Sequence, residues 1–110
     1  MKFTDIEEKF TMYLNCMEFY VASVDPSKNQ GSRESWYNHL TLMRWMYEAC
    51  VDIVVSFGAL SKQFTSLSPE ESSQLERYQI LLLRQMIRFK IELATRFSND
   101  AELMGFIEVH

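Results

Sequence analysis

Apolar side chains recur along this chain at intervals of three and four residues, the period of an α-helix packed against neighbours. Ile6, Phe10, Tyr13, Met17, Tyr20 and Val24 form the stripe of a first helix, predicted from Thr4 to about Val24. Thr4 and Glu7 have the S/T-x-x-E spacing of a capping box, in which hydroxyl and carboxylate each satisfy a free backbone amide. Residues 25–32, DPSKNQGS, hold Pro26, Gly31 and turn-favouring polar residues and read as a loop, with Ser32 as the next cap. The second helix is expected from Arg33 to about Phe64, with a bend at Gly58, around Trp36, Leu40, Met43, Met46, Cys50, Val54 and Phe57. TSLSPEES then places Ser68 as cap, Pro69 at the first helical position, and Glu70 and Glu71 where the helix dipole favours carboxylates. This third helix is predicted to reach about Phe97, and a short helical tail follows, capped by Asn99 with Glu102 three residues on.

The pattern predicts an all-α fold, an up-down-up bundle of three long helices with a short C-terminal helical tail, in a single domain over residues 1–110. A chain of 110 residues with 47% apolar content and 14% aromatics can bury roughly 65% of its unfolded surface in one core. Apolar residues exceed a single stripe, however. The first helix carries a second line, Met12, Cys16 and Phe19, which leaves only a narrow polar arc of Glu7, Glu8, Thr11, Asn15 and Glu18. In the second, the stretch HLTLMRWMYEACVDIVV leaves almost no turn without an apolar side chain. The third has one stripe of Leu75, Tyr78, Leu82, Met86, Phe89, Leu93 and Phe97 and another of Ile80, Leu83, Ile87, Ile91 and Ala94. Two stripes per helix suit a three-helix bundle, in which each helix meets two others. Yet at about 1.5 Å per residue the second and third helices span roughly 45 Å against about 30 Å for the first, so part of their hairpin lies uncovered unless the tail folds back or Gly58 breaks the helix. A homodimer is therefore expected. Trp45 falls on the polar side of its helix, among Thr41, Glu48 and Asp52, either as an exposed anchor for a partner or as a ring lying over Arg44 or Thr41.

Charge narrows the partners. A net charge of −4 and a pI near 5.1 argue against a nucleic-acid binder and against adsorption to anionic lipid. Cys16 and Cys50 lie within helical apolar patterns and read as reduced thiols packed as small hydrophobes. The N-terminal MKFTDIEEKF has acids where a secretory signal has a basic region and an apolar run. The segment from Ala49 to Ser61 is interrupted by Asp52 and falls short of the ~20 residues of a membrane span. A soluble, cytoplasmic protein is expected.

Catalytic chemistry finds little support. Helical di-iron sites need Glu-x-x-His pairs, and the magnesium sites of helical nucleotide pyrophosphatases need Glu-x-x-Glu and Glu-x-x-Asp pairs; neither pattern occurs. Arg44, Glu48 and Asp52 at four-residue steps read as a solvated charge ladder. His39, on the apolar side near Met43 and Met46, reads as a satisfied core or boundary residue. Its spacing from Cys16 and Cys50 does not support a soft-metal site, and no cofactor is expected. Arg77, Arg84 and Arg88 share one line of the third helix, and their guanidinium forks suit carboxylates or phosphates. They could grip an acidic partner, pair with Glu7, Glu8 and Glu18, or face solvent. No aromatic interleaving serves base stacking, and no helix-turn-helix spacing is present.

The reading that follows is a small non-enzymatic protein-binding factor (a regulator, inhibitor, immunity-type protein or chaperone) that occludes a partner surface. Its candidate contact residues are Trp45, Leu42, Met12, Phe19, Arg77, Arg84 and Arg88. A structural subunit of a larger assembly is an alternative. So is an enzyme: Arg33 and His39 have the R-x(4–6)-H spacing and in those two residues the chain resembles HEPN ribonucleases, all-helical domains that cleave RNA across a dimer. The resemblance implies that His39 acts on the 2′-hydroxyl or leaving oxygen while Arg33 stabilises phosphate charge.

Overall fold

Ser68 starts one of the long helices as its sequence predicts. The Glu71 amide donates to Ser68 Oγ at 3.1 Å and the Ser68 amide donates to Glu71 Oε1 at 3.0 Å, so the two residues close a capping box ahead of Pro69. The structure, a computed structural model, describes residues 3–24, 33–60 and 68–109, with 57–60 and 109 by backbone alone. Among these residues the chain is entirely helical, with four helices and no strand: α1 (Phe3–Ala22), α2 (Arg33–Leu60), α3 (Pro69–Arg96) and α4 (Ala101–Val109). The expected loop at 25–32, the cap Ser32 and the end of the second helix near Phe64 lie outside the described residues.

Several boundaries shift for physical reasons. Thr4 lies inside α1 and is not its cap, because Phe3 already packs against the core and is helical. Ser23 ends that helix by donating its amide to the Phe19 carbonyl and its hydroxyl to that of Tyr20. The backbone of α2 passes through Gly58 as helix. The cap of α4 is Asp100 in place of Asn99: its Oδ1 accepts the Leu103 amide at 3.1 Å, and its carbonyl accepts the Met104 amide. Asp100 gains a second partner there, since Arg33 Nε donates to its Oδ2 at 2.8 Å while the other side of the same guanidinium bonds Glu102. The tail is thereby tied to the start of α2, where Tyr37 and Phe106 stack at 4.1 Å and Leu103 is fully buried.

The core forms where the stripes meet. Ile6, Phe10 and Met17 of α1, Trp36, Leu40, Met43 and Cys50 of α2, and Leu75, Leu82, Phe89 and Leu93 of α3 are almost wholly buried. Aromatic edges join the helices: Phe10 to Tyr78, and Trp36 to Phe89 and Phe97. Packing is uneven, with α3 lying against both α1 and α2 more extensively than those two lie against each other. The buried residues of α3 fall on one arc, the one bearing Leu75, Leu82, Met86, Phe89 and Leu93. The second α3 stripe, expected to meet a helix of its own, is consequently uncovered: Ile80, Leu83, Ile87 and Ile91 are all exposed.

The resulting shape is long, 52 × 24 × 18 Å, with a radius of gyration of 16.4 Å against about 13 Å for a compact chain of this length. Its accessible surface of 7173 Å² likewise exceeds the roughly 6,300 Å² expected for a monomer of this mass. No helix among the described residues is long and apolar enough to cross a membrane.

Candidate functional site

The sequence-predicted contact residues separate into two groups in space. On α1, Met12 and Phe19 lie two turns apart on one line; on α2, Leu42 and Trp45 lie one turn apart. All four are exposed, with Phe19 at 70% and Trp45 at 59%. They border the junction between the two helices. Trp45 meets Tyr13 edge-on at 5.9 Å and His39 stacks on Tyr20 at 4.2 Å, so the paired residues run in opposite order along α1 and α2. That register sets Cys16, half-buried and midway between Met12 and Phe19, across from Leu42. Lys9 Nζ lies 5.9 Å from the Tyr13 ring centroid, giving this otherwise apolar seam one cation at its edge. Trp45 therefore packs against Tyr13 and leaves most of the indole open. Arg44 is engaged elsewhere, donating to Glu48 at 3.1 Å in the first step of the expected charge ladder.

A fully exposed aromatic side chain offers about 150–250 Å². The open parts of these four residues together amount to a few hundred Å², comparable with the apolar patches that mark contact sites where they are contiguous.

Arg77, Arg84 and Arg88 are exposed along α3, away from that seam. Among the described residues none of them forms an ion pair, so of the alternatives the pairing with Glu7, Glu8 or Glu18 is not made. Arg88 Nη1 donates to Gln85 Oε1 at a long 3.4 Å. Beside these arginines runs the exposed stripe of Ile80, Leu83, Ile87 and Ile91, which periodicity identified as a second apolar line expecting a partner of its own.

Arg33 and His39 face different neighbours. Six residues on a helix rotate the second side chain by about 120° from the first. Arg33 is held by Asp100 and Glu102. His39 is sandwiched among rings, flat on Tyr20 and tilted against Trp36 and Phe89, with Nδ1 buried and unpartnered among the described residues. It is thus a boundary residue without the satisfied hydrogen bonding expected of it. Burial lowers its pKa from the usual value.

The remaining reactive groups are muted. Burial pushes the Cys50 thiol up to about 11, and Tyr20 is pushed up to about 12, chiefly by its hydrogen bond to Cys16 and then by burial. Both cysteines are free thiols. No cluster of three metal-ligating side chains occurs among the described residues. A shallow cleft of about 620 Å³ opens where α2, α3 and α4 meet, lined by Arg33, Arg96, Phe97, Asn99, Asp100 and Glu102. Its charges largely satisfy one another, since Arg33 holds both carboxylates and Arg96 bonds Glu92. Comparison of the chain with known protein families, with curated proteins and with solved structures finds no match.

Proposed function

We propose that this chain is a non-enzymatic protein-binding factor, acting as a regulator, inhibitor, immunity-type protein or chaperone, that covers a surface of another protein with the seam between α1 and α2. The up-down-up order of the three long helices, supported by the reversed order of the α1–α2 ring pairs and by the packing of α3 on both, turns that seam away from α3. The observation that carries the reading is Trp45. A 59%-exposed indole braced by Tyr13, beside exposed Leu42, Met12 and Phe19, is a preordered aromatic anchor of the type that dominates binding energy in protein interfaces.

The test places a photo-crosslinking amino acid at position 42 in the cell of origin, identifies the adduct, and measures binding of the purified partner to wild-type protein and to Trp45→Ala. The expected result is a heteromeric adduct and an affinity at least about tenfold lower for Trp45→Ala, with unchanged thermal stability. Adducts containing only copies of this chain would identify the seam as a homodimer face instead. An unchanged affinity of Trp45→Ala for the captured partner would remove Trp45 from the contact.

A further inference from the structure

We infer that the outer face of α3 is a second docking surface, separate from the α1/α2 seam, built to receive an acidic amphipathic helix of another protein. Ile80, Leu83, Ile87 and Ile91 follow one another at steps of three, four and four, a ridge about 16 Å long at 1.5 Å per residue. Their exposures range from 39% for Leu83 to 60% for Ile80. Three turns of β-branched and γ-branched aliphatics, without an aromatic among them, are the side-chain set of a helix-on-helix seam. No described element covers it.

Charge identifies the occupant. The chain as a whole is at −4, yet from Arg77 to Ile91 α3 carries Arg77, Arg84, Arg88 and Lys90 and no carboxylate. The three arginines lie along one flank of the ridge at spacings of seven and four, and none is in an ion pair among the described residues. A second copy of this chain docking ridge to ridge in the antiparallel sense would bring two such cationic flanks together, which opposes that dimer. A helix with leucines at matching spacing and glutamates beside them supplies both what the ridge lacks and what the arginines lack. An anionic bilayer would also offer negative charge. The ridge, however, is narrow and has no Trp or Phe, whereas interfacial helices bury a broad apolar face that often carries them.

The experiment uses the full chain and two labelled synthetic peptides of about three heptads, identical in their leucine seam, one flanked by glutamate and one by glutamine. Binding is followed by fluorescence anisotropy at low and high salt, with circular dichroism confirming that each variant is folded. The glutamate peptide is expected to bind at least about tenfold more tightly than the glutamine peptide, with the difference shrinking at high salt. Ile87→Glu and Arg84→Glu should each weaken it at least about tenfold, and Trp45→Ala should leave it unchanged, which separates this surface from the seam. Equal affinity for the two peptides, or full binding by Ile87→Glu, overturns the inference. So does a wild-type dimer that Ile87→Glu dissociates, or binding to phosphatidylserine vesicles while the glutamate peptide is ignored.

Discussion

The rings of Tyr20 and His39 lie nearly parallel, their centroids 4.2 Å apart and their planes inclined by 7°, and this stack joins α1 to α2 beside the apolar seam. Rings on three sides and a buried Nδ1 with no partner among the described residues make the neutral imidazole the form the fold accepts.

A pH dependence follows, with a definite sign. The described groups against His39 are Tyr20 from α1, Phe89 from α3 and Trp36 on its own helix, and none of them supplies a charge that would hold a proton on it. Its folded pKa lies below the 6.5 of an unperturbed imidazole because of burial. Above pH 6.5 neither folded nor unfolded state carries the proton. As pH falls through 6.5 the unfolded chain takes it up first, so stability declines until the folded imidazole also titrates. The melting temperature is expected to fall between about pH 7.5 and about pH 5.5, and His39→Phe, which keeps the stack without the titration, should flatten that fall. An identical pH slope in His39→Phe would assign the effect to other groups.

Neighbouring positions on α3 should respond in opposite ways to truncation. Phe89 is fully buried and Ile87 is 49% exposed. Phe89→Ala removes a core ring at about 3–5 kcal/mol, a large part of the about 5–15 kcal/mol that a typical domain has in total. Ile87→Ala should change stability by no more than about 0.5 kcal/mol. Urea unfolding of both variants checks the assignment, and comparable losses would place the ridge in the core.

The tail is anchored by one residue with two roles. Asp100 caps α4 and bonds Arg33, and its pKa is lowered first by that arginine and then by the Leu103 amide. A depressed carboxylate stabilises the fold above its unfolded pKa and loses that contribution as pH falls through the folded value. Asp100→Asn should keep the cap and lose the ion pair, whereas Asp100→Ala loses both. Amide exchange at Leu103 and Met104 is expected to be fastest in Asp100→Ala and intermediate in Asp100→Asn. Equal exchange in the two variants would mean that the cap contributes little.

At the start of α3, Ser68→Ala removes one half of the capping box and should cost about 1 kcal/mol. Thermal unfolding checks this, and a null effect would show that Pro69 and the first-turn carboxylates suffice to begin the helix.

The α3 boundary was legible in sequence because Ser68, Pro69, Glu70 and Glu71 act on their own backbone within one turn. The buried stripes were legible too: Phe10, Met43, Leu82 and Phe89 fall where periodicity puts a core. Periodicity, however, identifies which side chains share a face and not whether a neighbour covers it. Ile80, Leu83, Ile87 and Ile91 thus read as a stripe expecting a second neighbour, in this chain or in another, and only the tertiary structure showed them open. The cap at Asp100 competes with one at Asn99 on local grounds alone, and the contact that favours Asp100 comes from Arg33, 67 residues away. Of the candidate contact residues, Trp45 was identifiable as an apolar outlier on its helix and Met12 and Phe19 as a second apolar line, whereas the bracing of Trp45 by Tyr13 required the tertiary structure.

The measurement that bears most directly on the uncovered seam is acrylamide quenching of the two tryptophans in protein shown by sedimentation to be monomeric. Trp36, 2% exposed, should emit to the blue and resist quenching, while Trp45, 59% exposed, should emit to the red and be quenched readily, giving two resolved populations. A single shielded population in the monomer would mean that the fold already covers Trp45, and the apolar seam would not exist as a surface for any partner.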